Sequence, residues 1–344
     1  MAKSGRPRLL ALDGLRGLAA LAVVELHATH GAFPTHGGLA VDLFFLMSGF
    51  VLAGAYEPRL QTGMSFRAFM AERLARIYPL YLFGLLLGVA LYLHQFGDET
   101  WAAFGAGLFF APAFGGPHEA AFWLDAPLWS LSLEMLVNAL FAAGLWRLSN
   151  RGLAAITAIA ALVLCVATFR YGQAEFGYFQ IKTDYWLGYA RVFFGFPLGW
   201  LIWRVRGRLA PYCTLPASLI AFAAAAASFV VVSGAGALVA IVFLFPIVVA
   251  ALALGPQPVG PLGRFAALAG ALSYPLYVVH AHVVVVVNTL AALPWRPWLI
   301  LSGSLAIAAM AGRSIEPMGR QLLTRLFAAS AAGVARDSPR RVTR

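Results

Sequence analysis

The 344-residue chain is 61% hydrophobic and only 11% charged, with a mean hydropathy of +0.79 and a net charge of +11. A soluble globular domain carries about a quarter charged residues, so a water-soluble fold is excluded, and the basic balance is a question of membrane topology before it is a sign of a nucleic-acid partner. Cys165 and Cys213 are the only cysteines and have no CxxC or Cys/His neighbour, which excludes a disulfide framework.

Apolar stretches of roughly 20 residues, each enough to cross about 30 Å of hydrocarbon as a helix, predict ten transmembrane helices. They lie at 10–33, 38–56, 76–95, 127–147, 152–170, 185–204, 213–233, 235–254, 266–292 and 297–313. The first follows a basic start, MAKSGRPRLL, but Asp13 and Arg16 interrupt the apolar run and no small-x-small cleavage site follows, so it reads as an uncleaved helix. The stretch WAAFGAGLFFAPAFGG, 101–116, runs into a Pro and Gly cluster too soon to span and is expected as a short re-entrant or interfacial helix.

With a cytoplasmic N-terminus, twenty of the 25 Lys and Arg then fall inside, three (Arg170, Lys182 and Arg296) fall outside, and Arg16 and Arg191 lie within helices. Counting 101–116 as a span would invert everything after it and destroy this positive-inside asymmetry. The expected architecture is an all-α polytopic integral membrane helical bundle of about ten transmembrane helices with both termini cytoplasmic. A membrane domain covers 1–325 and a basic cytoplasmic tail 326–344. The segment MGRQLLTRLFAASAAG could also lie on an anionic leaflet. There is no internal repeat, G-x-G-x-x-G or Walker loop, and Gly84/Gly88 and Gly195/Gly199 are expected as helix-packing pairs.

Ionisable groups in hydrocarbon are expensive and usually line a cavity or pair with one another. In the first helix, Asp13, Arg16, Ala20, Val23, His27 and His30 share one stripe at i+3 and i+4 steps, with Arg16 and His27 about 16 Å apart along the axis. Glu25 points almost opposite. The second helix carries Asp42, which could orient His27 through one ring nitrogen. At the start of the third, Arg73 and Arg76 point the same way one turn apart. They are either ordinary positive-inside flanking or a clamp for phosphates, whose oxygens paired guanidiniums match.

The fourth helix places Ser130, Glu134 and Asn138 on one face, with Glu134 about 10 Å below the outer surface, near the depth of His27. The ninth puts Ser273, Tyr277 and His280 on one stripe with a kink at Pro275; His282 is offset and reads as packing. On composition alone these groups would also suit a proton-coupled transporter or flippase, although no half-to-half repeat is present.

In order along the chain, LDGLRGLAALAVVELH, VDLFFLMSGFVL, RLARIYPLY, PLWSLSLEM, LSYPLYVVH and IEPMGRQL resemble the acyltransferase 3 family. Its members are integral membrane enzymes that acylate sugars of surface polysaccharides, glycolipids, peptidoglycan or macrolides. The resemblance implies a multi-pass protein of a bacterial plasma (inner) membrane. Its acyl donor would be acyl-coenzyme A, acetyl-CoA by default, its acceptor a hydroxyl of a carbohydrate or glycoconjugate, and no metal is implied. It points to His27 and Arg16 as the essential pair and to Arg73 and Arg76, with Arg16, as donor contacts. Glu134 matches the acidic position of W-S-L-x-x-E.

His27 is then expected as general base, with Asp42 or Glu134 fixing its tautomer, or as the carrier of an acyl relay. Trp129, Ser130, Tyr277, His280 and His30 are expected against the substrate. Outer-loop residues Trp101, His118, Trp123, Asp125, Tyr178 and Lys182 would shape the acceptor site.

Overall fold

Burial pattern follows the solvent that the composition demands. The computed structural model describes residues 8–29, 36–113, 120–177, 184–290 and 294–337. These residues form helices and turns, without a strand among them. The helices are α1 (Leu10–Thr29), α2 (Ala40–Gln61), α3 (Phe66–Phe96), α4 (Asp98–Gly107), α5 (Leu128–Ala143), α6 (Asn150–Tyr171) and α7 (Asp184–Leu209). They continue with α8 (Leu215–Val231), α9 (Gly234–Val239), α10 (Phe245–Leu254), α11 (Gly260–Leu290) and α12 (Arg296–Asp337). Large side chains of α6 and α8, such as Phe169 at 76% exposure and Ile220 at 69%, face outward. A patch of that kind is an aggregation hazard in water and a natural surface in lipid.

Each of the ten expected spans has a helix in its place, α9 and α10 forming one run through a π turn at Ala240–Leu244. Pro246 lies just beyond, and its missing N–H explains why the helix widens there. Length and composition qualify six runs to cross a membrane, and a seventh if α7 and α8, bent by 120°, count as one. The shortfall against ten has local causes. Three charges, Asp13, Arg16 and Glu25, sit in α1, and α5 has only 16 residues. Of the stretch 101–116, residues 101–113 are described and contribute most of α4 and a turn, in keeping with a segment too short to span.

Two boundaries change the reading of the charges. Ser65 caps α3 by accepting from Ala68 N, so the helix starts ten residues earlier than expected, and Arg73 and Arg76 lie in its second and third turns. At the other end of the chain α12 runs on to Asp337, and no break in it marks residue 325.

Small residues set the closest helix contacts. A methyl added to Gly17 would stand 2.5 Å from Cβ of Ala269, which lets α1 lie directly on α11. Gly199 does the same for α7 against the backbone of α2 at Leu46, as the Gly195/Gly199 pair predicts. The α1/α11 contact brings His27 beside His280, and the polar face of α5 looks into the space between α2, α3 and α11.

Candidate active site

The i+4 stripe on α5 supplies one wall. Ser130 Oγ lies 2.7 Å from the Tyr277 hydroxyl of α11 and donates to Pro127 O at 3.1 Å. One turn on, Glu134 Oε1 accepts from Ser48 Oγ of α2 at 2.8 Å and from Arg73 Nη2 of α3 at 3.1 Å. A further turn on, the fully buried Asn138, its amide oxygen turned to Arg73, accepts from Nε at 3.2 Å and Nη2 at 3.3 Å. Arg73 is buried and held by these two acceptors. Arg76, three residues on along the same face of α3, is exposed, and both arginines line the same cavity.

The second element is a pair of imidazoles. His280 Nε2 lies 3.2 Å from His27 Nδ1, with ring centroids 5.0 Å apart. His280 is fully buried, and its neighbour is His27. Tyr277 joins the two elements: it meets Ser130 with its hydroxyl, and its ring centroid lies 6.1 Å from that of His280.

Beside the α5 wall lies a cavity of about 270 Å³, which Tyr277 lines and neither imidazole does. Arg8, Arg16, Arg76 and Glu316 line one part of it, Ser48, Arg73 and Glu134 another, and Phe44, Ser130 and Tyr277 a third. Phe44 and Tyr277 meet edge to face at 5.6 Å. Asp13 accepts from both Arg8 and Arg16, yet Arg16 Nε is buried without a hydrogen-bond partner among the described residues. Such an orphaned donor beside a basic cavity suits an anionic ligand.

Asp42 is not beside His27. Both its oxygens accept from Arg191, at 3.0 Å from Nε and 2.6 Å from Nη2, and Arg191 also donates to Gly38 O and Phe176 O. An arginine in the middle of α7 is a stronger partner for a buried carboxylate than a half-exposed imidazole on α1. Trp129 belongs to the same arrangement. It is buried, its ring lies 5.5 Å from the Arg191 guanidinium, and it packs against Gly177 and Gly188 rather than facing the cavity. Trp123 and Asp125 are buried, while Trp101 is exposed. His30, His118, Tyr178 and Lys182 lie outside the described residues.

Ser48, Glu316 and Arg8 were not singled out as site residues from the sequence. A serine inside an apolar helix and a glutamate within IEPMGRQL were the available signals.

The acyltransferase domain description matches residues 9–312. Protein 2 in the picA locus of Rhizobium radiobacter is 38% identical over 191 residues, half of this chain and all of that protein. The acyltransferase MdmB of Streptomyces mycarofaciens is 31% identical over 183 residues, 46% of each chain. YrhL of Bacillus subtilis, named as a peptidoglycan O-acetyltransferase, is 29% identical over 179 residues, 45% of this chain and 27% of YrhL. The chain thus aligns with less than half of the latter two. No solved structure matches it. Residues 9–312 are an acyltransferase domain, and the chain belongs to the acyltransferase 3 family of membrane enzymes.

Proposed function

We propose that this protein moves an acyl group, acetyl by default, from acyl-coenzyme A to a hydroxyl of a sugar or glycoconjugate, with His27 as general base. One observation carries the reading: a single cavity has arginines at one part and the Ser130–Tyr277 hydroxyl pair at another, and α11 links that pair to His27 through His280. The name of YrhL favours O-acetylation of a glycan. Family membership favours acyl transfer over the transporter reading.

Arg16, Arg76 and Arg8 would hold the donor's phosphates where the cavity opens. At about 270 Å³ the cavity is below the usual size of a whole-ligand pocket, roughly 300–1,000 Å³, and suits a narrow acyl-pantetheine arm with the nucleotide outside it. That arm, roughly 15–20 Å when extended, matches the axial separation of Arg16 and His27, about 16 Å. Arg73 holds Glu134 in place, and Glu134 in turn orients Ser48.

His27 takes the proton from the acceptor hydroxyl as its oxygen bonds to the thioester carbon. Ser130 gives its hydrogen to Pro127 O, so Tyr277 is the donor of the pair, and by turning its hydroxyl from Ser130 it donates to the resulting oxyanion. The C–S bond then breaks, and the thiolate recovers the proton from His27. With both termini cytoplasmic the donor arrives from inside and the acceptor from the outer face of a bacterial plasma membrane.

The test replaces His27 by Ala and by Gln and follows labelled acetyl-CoA and host glycan acceptor in membranes. Transfer should fall at least about a hundredfold, the usual contribution of a positioned base. Undiminished transfer would end both the base and the relay version.

A further inference from the structure

We propose that His280 is a positioning residue for His27: together with the Val23 carbonyl it fixes the His27 tautomer so that Nε2 is the basic nitrogen, the part a carboxylate plays in other imidazole bases. This rests on His27 being the base.

The argument is one of hydrogen placement. His280 Nδ1 lies 2.8 Å from Tyr277 O and 3.2 Å from Leu276 O. Carbonyl oxygens only accept, so Nδ1 must carry the hydrogen, and in a neutral imidazole Nε2 then holds the lone pair. That lone pair is directed at His27 Nδ1, 3.2 Å away. His27 Nδ1 also lies 2.8 Å from Val23 O, one turn back on α1. Two acceptors around one nitrogen require a hydrogen on it. His27 is therefore an Nδ1–H imidazole, and the proton accepted in the reaction goes to Nε2.

Burial makes the arrangement firm. His280 is fully enclosed, and its neighbours Leu276, Val279 and Val284 form an apolar cluster with Ala20 and Val24 of α1. A neutral imidazole is a cheaper buried acceptor than a carboxylate, whose charge would need its own counter-ion in hydrocarbon. When His27 becomes an imidazolium, its Nδ1–H bond to His280 turns charge-assisted and strengthens at the moment the base is loaded. The ring is also held against rotation, since two backbone carbonyls fix His280 and a third fixes His27.

The decisive readout is independent of turnover. Nitrogen spectra of the purified, histidine-labelled protein, with the His27 signal assigned by its disappearance in His27→Gln, should show His27 protonated at Nδ1 when neutral. In His280→Leu, with Val23 O the remaining acceptor at Nδ1, part of that population should shift toward the Nε2–H form. An Nε2–H imidazole in the unaltered protein would overturn the proposal, even if His27 proves essential. Loss of the base reading would appear separately, as unimpaired transfer by His27→Gln.

In transfer assays His280→Leu should lower kcat about a hundredfold with KM for donor and acceptor within about twofold, the size expected of a mispositioned base. His280→Gln, which returns an acceptor oxygen near the Nε2 position, should recover most of that loss. Equal losses in both variants, with the His27 tautomer unchanged, would reduce His280 to a packing residue.

Discussion

Among the arginine–carboxylate arrangements of the described residues, Asp42–Arg191 and the Asp13 cluster at the cavity differ in completeness. In the Asp42–Arg191 pair both carboxylate oxygens are taken, and the guanidinium reaches two further backbone oxygens, with both residues almost fully buried. Around the cavity the arithmetic does not close. Arg16 keeps a buried N–H without a partner, Arg76 is exposed, and Asp13 is shared between Arg8 and Arg16. A satisfied buried pair holds helices together; an unsatisfied cluster of cations beside a void is arranged to bind something.

The largest effect should come from breaking the closed pair. Asp42→Asn strands the Arg191 charge among α2, α7 and the Phe176 carbonyl, and removal of one partner of a buried pair costs about 3–5 kcal/mol. Unfolding in detergent micelles should register that loss. Exchanging both groups for apolar residues of similar volume, Asp42→Leu with Arg191→Met, should recover most of it. If Asp42→Asn unfolds like the unaltered protein but loses transfer, Asp42 acts in the chemistry after all and the contrast between the two regions collapses.

The open cluster should answer differently. Arg76→Ala removes an exposed cation from the cavity mouth without exposing a buried partner. The apparent KM for acyl-CoA should rise roughly tenfold, the value of one charge-assisted phosphate contact, while unfolding moves by less than about 0.5 kcal/mol. An unchanged KM would leave Arg76 as a topology marker only.

Sequence periodicity carried most of the fold because α-helical spans announce themselves through local apolar runs. The ten places, the short α4 and the face shared by Ser130, Glu134 and Asn138 were all readable from i+4 spacing and hydropathy. Partner choice across helices was not. Asp42 could have faced His27 or an arginine 149 positions away; the choice lies in how close Gly195 and Gly199 let α7 approach α2, which no local pattern encodes. His280 was placed on the right stripe, but its burial depends on Gly17 admitting α11 against α1. The start of α3 was misjudged because Arg67, Glu72, Arg73 and Arg76 depress hydropathy over its first three turns, while its cap, Ser65, is a short-range signal that a hydropathy window ignores.

An exposed arginine–carboxylate pair extends the comparison to its weakest case. Arg59 at the end of α2 and Glu72 in α3 form a two-point contact, Nη1 to Oε2 at 2.8 Å with Nη2 on the other oxygen, so by geometry alone it rivals Asp42–Arg191. Its side chains are 46% and 45% exposed, against 2% and 3% for Arg191 and Asp42. Solvent screening and the entropy of two long side chains then leave about 0–1 kcal/mol. Arg59→Ala should therefore change unfolding by less than about 1 kcal/mol and leave both kcat and the donor KM where they were, since Arg59 does not line the cavity. The residual effect should shrink further as salt is raised from low to physiological strength, because exposed charges are screened over about 8–10 Å under those conditions. A loss as large as that of Asp42→Asn would mean that bidentate geometry, and not burial, sets the strength of these pairs.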